Sequence, residues 1–327
     1  MALFKRLWHM PASGKNHKAG WRLGGGRRRG AGERGQSLVL VGLMITSLLG
    51  AGGLALDSSS LYVARTNTQR TADAAALAGA RTVLTSETQG VADAKAYAAE
   101  NSDTTAQVTV LTTIRPHDTI RVTSSSKVRT SLLRVLGITD STVKASGTAQ
   151  VGPAGSAVGI LPWAVNDDAF SGYGKADGLQ PANGGGCGTF NFVAMKPPGG
   201  QTYADAIVNG VTSPIFLNTS YPTLVSDGSG LSAVTRAALQ ARIDARPSET
   251  YSTFVTGSPR VVFIPVLNGD IPNAPSPVTP IGFRAFFLEK VDSQCAYGRF
   301  VESAIPNGGI GGINVPDKGV HVIKLIN

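Results

Sequence analysis

Residues 37–56, SLVLVGLMITSLLGAGGLAL, carry no charge and no proline, with small polar interruptions only at Ser37, Thr46 and Ser47. At about 1.5 Å per residue such a run makes roughly 30 Å of helix, the thickness of a bilayer core. A core helix of a soluble domain shows a polar face, and this run has none. A cleaved signal peptide is the competing reading, because Gly53-Leu54-Ala55 passes for a small-residue cleavage site. Its apolar region, about 7–15 residues, is shorter than this one. The run therefore reads as an uncleaved signal anchor that spans a membrane. Within it Gly42, Thr46 and Gly50 recur every four residues, with Ser47, Ala51 and Ala55 as a second row. Small residues at that spacing let another transmembrane helix approach, giving a homo- or hetero-oligomer. The plainer reading is that glycine and alanine are common in single spans.

Beyond Asp57, LYVARTNTQRTADAAALAGARTVL (61–84) has no glycine or proline before Gly79 and is rich in alanine, the best helix former. With the span it predicts one long helix, whose positions Leu61, Ala64, Thr68, Ala72, Ala75 and Leu77 form a small-residue stripe. A short helix over 91–102 follows, then a half-buried strand over 106–114, a turn at 115–118 and a second strand, TIRVTSSSKV, closing a hairpin. RTSLLRVLGI (129–138) predicts a helix stopped by Gly137, and 141–151 a third strand. Gly152-Pro153-Ala154-Gly155 reads as a linker. After it, short apolar runs such as VVFIPVL (261–267) and GFRAFFLEKV (282–291) between Gly/Pro turns predict a β-rich domain. Its one convincing helix is 231–245, with Leu231, Val234, Ala238, Leu239 and Ile243 near one face. The fold class is α+β, in four parts: a tail (1–36), the span (37–56), a long helix with a small α+β module (57–151) and the β-rich domain (152–327).

The net charge of +9 changes the picture only when divided by position. Residues 1–36 hold nine Lys or Arg and one acid, so the rest of the chain is close to neutral at +1. That tail is rich in glycine and arginine, too polar to offset the entropy of ordering, and is expected to be disordered. Arg22, Arg27, Arg28, Arg29 and Arg34 stand before the span while Asp57 and a serine run follow it, which places the N-terminus in the cytoplasm and the bulk outside. The basic surplus is topogenic and available to anionic headgroups. Only Trp8 and Trp21 are interleaved with it, so nucleic acid is not an expected partner. Cys187 and Cys295, both on the exported side, make a single disulfide the natural expectation, with two buried thiols as the alternative. Closing a loop of about 100 residues adds roughly 4–5 kcal/mol on the chain-entropy model.

Arg34-Gly35-Gln36 before the span, followed by LALDSSSLYVARTNTQRTADAAALAGA (54–80), resembles the N-terminal signature of TadG-like (TadE/TadG-related) proteins of the tight-adherence, or Flp, pilus assembly system. The residues that carry it are Asp57 at the membrane exit, the Leu61-Tyr62 pair, Arg65, Gln69, and a closing Ala72, Asp73, Ala74, Ala75, Ala76, Leu77, Ala78, Gly79 and Ala80. The likeness is close through Ala80 and weaker to about residue 151. It implies a single-pass protein of the bacterial inner membrane with a pilin-like anchor and a variable periplasmic or extracellular part, which supports pilus assembly alongside other proteins of that system. PWAV (162–165) and CGTFNFVAM (187–195) resemble segments recurring in the exported parts of TadG-related proteins, with no catalytic role attached. One departure matters. Prepilin processing in similar systems requires a glycine five residues before a glutamate, and counting back five from Glu33 lands on Arg28. The resemblance therefore implies a retained anchor rather than a polymerising subunit.

Candidate chemistry is sparse. Outside the tail and span the histidines are His117 and His321, and there is no HExxH helix, GxSxG elbow or GxxxxGK[ST] loop. Asp57-Ser58-Ser59-Ser60-Leu61 begins like the metal-binding Asp-x-Ser-x-Ser of the von Willebrand A domains in longer similar proteins, but Leu61 stands where the second serine is required. NDDAFSGYGKADG (166–178) clusters Asp167, Asp168 and Asp177 with glycines, oxygen ligands suited to Ca²⁺ but without EF-hand spacing, so a solvated turn is the simpler expectation. No cofactor, metal site or catalytic residue is expected. The sequence points to a non-enzymatic membrane scaffold, against the alternative of a tethered enzyme or polysaccharide-binding domain.

Overall fold

The computed structural model describes residues 33–168, 170, 172–182, 190–224, 231–271 and 276–326. Of the tail expected over 1–36, residues 1–32 lie outside them, while 33–36 are helical and form the first turn of α1 rather than disordered chain. The chain forms two units, 1–53 and 54–327.

In the first unit the described residues are helical, within α1 (Glu33–Ala80). The large apolar side chains from Leu38 to Leu49 are each more than half exposed. No face of the helix is reserved for a protein core, which is the surface hydrocarbon would cover. This is the one helix among the described residues long and apolar enough to cross a membrane. Thr46 Oγ1 donates back to the Gly42 carbonyl at 2.8 Å, so its polar group is satisfied inside the helix. A Cβ at Gly42 or Gly50 would meet nothing.

The second unit is α+β. The C-terminal part of α1 and α2 (Glu87–Glu100) pack on a sheet ordered β1-β2-β3-β13-β11, formed by β1 (Gln107–Leu111), β2 (Thr119–Arg129), β3 (Asp140–Ala157), β13 (Val320–Leu325) and β11 (Ser303–Ala304). The expected hairpin is present, with Gln107 opposite Thr123 and Leu111 opposite Thr119. Ser86 caps α2 by accepting from the Gln89 N–H. The core between helices and sheet is small: Ala75, Ala76, Ala80, Ala94 and Ala98 meet Ile120, Val122, Ala149 and Val151. Alanine and glycine let the layers approach closely; a Cβ at Gly79 would lie 2.6 Å from the Gly90 carbonyl and from Ile120 Cδ1.

Two expectations are corrected here. Residues 129–138 do not form a helix. β2 extends to Arg129 and β3 starts at Asp140, so the Thr130 N–H to Thr139 carbonyl bond closes a tip with room only for one 3₁₀ turn, Leu133–Leu136, stopped by Gly137 at φ +88°. Residues 152–155 are not a linker either. They lie within β3, whose first eleven residues pair with β2 while its later ones pair with β13, with β12 (Gly308–Ile310) and with β7 (Ile215–Phe216). The glycines mark close approach: a Cβ at Gly155 would sit 2.7 Å from Gly311 Cα.

The β-rich expectation resolves into a closed six-stranded barrel, β10-β5-β6-β4-β8-β9, from β4 (Trp163–Asn166), β5 (Ala176–Pro181), β6 (Phe190–Ala194), β8 (Val261–Leu267), β9 (Gly282–Val291) and β10 (Ala296–Val301). Every barrel strand sends side chains into one cluster, including Trp163, Leu179, Phe190, Ile264, Phe286 and Phe300, which fills the interior. The alternate residues of β8 and β9, such as Val261, Phe283, Ala285 and Phe287, enter a second cluster with Ala154, Ala157, Val320 and Val322 of the open sheet. Burial on both faces is why β8 reads as an unbroken apolar run and β9 as one interrupted before Glu289 only by Arg284. α3 (Tyr203–Asn209) and α4 (Ala233–Asp244) add Ile207, Ala238, Leu239 and Ile243 to the interior cluster. Val234, expected on the inner face of α4, is 52% exposed; Thr235 takes the inward position one turn before Leu239.

Candidate functional site: the signature helix

Asp57, Leu61, Arg65, Gln69 and Asp73 recur every four residues along α1, so they form one row beside the buried alanines. The row faces the tip and edge of the β2–β3 hairpin. The Asp57 carboxylate accepts the N–H groups of Ser131 (2.7 Å), Leu132 (2.9 Å) and Leu133 (2.8 Å), acting as the cap of the 3₁₀ turn from across the fold. Arg65 Nη1 donates to the Lys144 carbonyl at 3.4 Å. Gln69 Nε2 donates to the Ser146 carbonyl at 3.0 Å and to Asp73 Oδ1 at 2.8 Å. Lys144 and Ser146 are two apart on β3, so one row of helix residues tracks one side of a strand.

Beside this row Ala72, Ala75, Ala76 and Ala80 are fully buried, and Gly79 is buried with them. Leu61, Ala74, Leu77 and Ala78 are half-buried. Tyr62 stands well out, at 74% exposure, and Arg65 is exposed as well. The apolar stripe expected at 61, 64, 68, 72, 75 and 77 agrees with the burial at Thr68, Ala72 and Ala75; Leu61, Ala64 and Leu77 form its half-buried margins. An open cleft of about 440 Å³ borders the exposed side of α1, lined by Ser59, Ser60, Val63, Ala64, Asn67 and Ser126.

Residues 35–82 match the family model described as putative Flp pilus-assembly, TadE/G-like. This stretch is similar to TadE/G-like proteins. No curated protein and no solved structure matches the chain. The TadE/G-like segment covers nearly all of α1 and ends at Thr82, before α2 and every strand. It supports a role in Flp pilus assembly, and with the one apolar helix it fits a single-pass membrane protein.

The other candidates are dispersed. Asp167 is held between Arg284 and Lys318, with Arg284 Nε at 3.2 Å. Arg284 is itself 4% exposed and lies 3.4 Å over the Phe170 ring. Burial pushes the Asp167 carboxyl up, but donation from Lys318 and Arg284 outweighs it and holds the carboxyl below its usual range. The charge of this acid is answered by two cations, and no group of three or more His, Cys, Asp or Glu side chains among the described residues is placed to hold a metal. His117 sits 3.0 Å from Glu87 and His321 2.8 Å from Asp317, at separate places. Cys295 is buried, while Cys187 lies outside the described residues.

Two acids that the sequence reading passed over organise loops of the open sheet. Asp118 accepts the N–H groups of Thr113, Ile114 and Arg115 and an amide proton of Gln150. Asp103 accepts from the Ser124 hydroxyl, the Ser125 N–H, and the N–H and hydroxyl of Thr105. In both, burial raises the carboxyl and the donors more than reverse it, so each titrates below the ordinary carboxylate value. A depressed folded pKa adds stability that is fully present above the unfolded value, about 3.9, and is lost as pH falls through the folded one. The thermal midpoint is therefore expected to be flat from neutral pH down to about pH 5 and to fall below about pH 4. Asp118→Asn should lower the neutral-pH midpoint and flatten the acid limb, measured by circular dichroism across pH. An unchanged acid limb would remove Asp118 from the account.

Proposed function

We propose that the chain is a non-enzymatic scaffold or anchoring component for assembly of a Flp/Tad-type surface pilus, with its N-terminus in the cytoplasm and residues after Asp57 outside the inner membrane. The match over residues 35–82 carries the reading. The geometry supports it: the span holds the chain in the bilayer, and the signature residues bond the helix to the sheet, so the segment fixes where the sheet begins. The barrel then offers protein-binding surfaces to other assembly proteins. Pairing through Gly42, Thr46 and Gly50 belongs to the same proposal, supported by the four-residue spacing of these small residues along α1. So does a Cys187–Cys295 bridge, which requires an oxidising compartment.

The expected result is an active periplasmic reporter at the C-terminus and an inactive one at the N-terminus, loss of piliation on deletion, and recovery of pilus-system proteins after crosslinking in membranes. Full-length protein should show no free thiol by non-reducing mass measurement. Normal piliation in the deletion strain would turn the reading toward a tethered enzyme or polysaccharide-binding domain.

A further inference from the structure

The tip of the β2–β3 hairpin is a place where this fold turns apolar side chains outward. Leu132 is 37% and Ile138 49% exposed, on a loop of ten residues. Neither is covered by α1, although the loop is bonded to it. The tip is also basic: Arg129 and Arg134 are exposed, and Lys127 is paired with Asp140 at 3.1 Å. It is held in one shape by the Thr130 N–H to Thr139 carbonyl bond (3.2 Å), the Ile138 N–H to Leu133 carbonyl bond (3.0 Å) and a bond from the Thr130 hydroxyl to the Ile138 carbonyl.

Its position follows from Asp57. That residue comes directly after Leu56, the last of the apolar run, and its carboxylate holds three consecutive N–H groups of the tip. Whatever Asp57 holds lies within about one helical turn of the place where the run ends. An acid at that depth is tolerable because its charge is spent on backbone donors. We propose that the hairpin tip is a second membrane contact, with Leu132 and Ile138 entering the boundary between headgroups and acyl chains and Arg129 and Arg134 binding the phosphates of anionic phospholipid. This rests on residues 37–56 being a span. The exposed apolar pair flanked by cations is the pattern of an interfacial anchor, and its rigidity means little freedom is lost on contact. The signature acid would then dock the tip at the bilayer surface.

The test uses the full chain in phosphatidylcholine vesicles with and without phosphatidylglycerol, carrying a tryptophan at one tip position, Ile138→Trp or Leu132→Trp. Lipid brominated high on the acyl chain is expected to quench the added tryptophan about twofold, more strongly with phosphatidylglycerol, after subtraction of the unsubstituted chain. Combined Arg129→Glu and Arg134→Glu should abolish the dependence on phosphatidylglycerol. Flotation with the vesicles reports the span separately. A chain that floats with both probes unquenched, or quenched equally in the two lipids, overturns the proposal; a chain that does not float overturns the span and the proposal together.

Discussion

Arg284→Leu is expected to destabilise the second unit by about 3–5 kcal/mol, the usual consequence of removing one member of a buried ion pair. The guanidinium is nearly inaccessible, bonded to Asp167 and stacked on Phe170, with Phe300 at 6.0 Å. Leucine fills part of the volume but leaves the carboxylate, itself mostly buried, with Lys318 alone. Lys318 is the more exposed cation, and Lys318→Ala should cost only about 1 kcal/mol, because Arg284 still answers the acid. The decisive comparison is the double variant Asp167→Leu with Arg284→Leu. Removing both removes the buried pair's desolvation penalty along with its attraction and leaves Lys318, the more exposed cation, to water, so the double variant should recover part of the loss. Denaturant unfolding of the four proteins would check this. Equal losses for the two cations would show that burial does not set the energetics there.

That pair also shows where a sequence ceases to be readable. Asp167 and Arg284 are 117 residues apart, and the aspartate drew notice only as a calcium ligand beside Asp168 and Asp177. Nothing local announces which cation an acid will meet. The same holds for the tip of the β2–β3 hairpin, where LLRVLG has the composition of a helix but the carboxylate of Asp57 takes the N–H groups at its start from 74 to 76 residues away. The bounds of β8 and β9, in contrast, were legible, because burial on both faces writes a long apolar run, broken in β9 before Glu289 only by Arg284. The alanine stripe of α1 was legible for a related reason, its period surviving in every turn. Glycine was ambiguous. At 152 and 155 it looked like flexibility and is instead room for a neighbouring strand, a distinction that depends on Ile310 and Gly311. Barrel closure was invisible, since it relies on the parallel pairs β4 with β8 and β5 with β6, which no turn chemistry encodes.

Gly147→Val should have the second large effect, and one that bears on the proposed role. Gly147 lies in β3 directly beneath α1, where a Cβ would fall 2.6 Å from Ala72 C and Asp73 N. Those are backbone atoms of a helix, so no side chain can swing aside; the helix must lift or the strand must bend. Overpacking of this kind costs about 1–3 kcal/mol where side chains can adjust, and the upper end or beyond is expected here. Lifting the helix also stretches the bonds from Arg65 to Lys144 and from Gln69 to Ser146, so the loss compounds. Within the span the same kind of change is predicted to be silent for stability: a Cβ at Gly42 or Gly50 meets nothing, so Gly42→Ala and Gly50→Ala should leave unfolding unchanged. If helix pairing operates there, they should instead alter crosslinking between spans. A chain in which Gly147→Val lowers the unfolding midpoint while still floating with membranes, and in which piliation is lost, would tie function to the clasp between helix and sheet rather than to membrane insertion. Full piliation in a destabilised Gly147→Val protein would mean that the clasp serves folding alone.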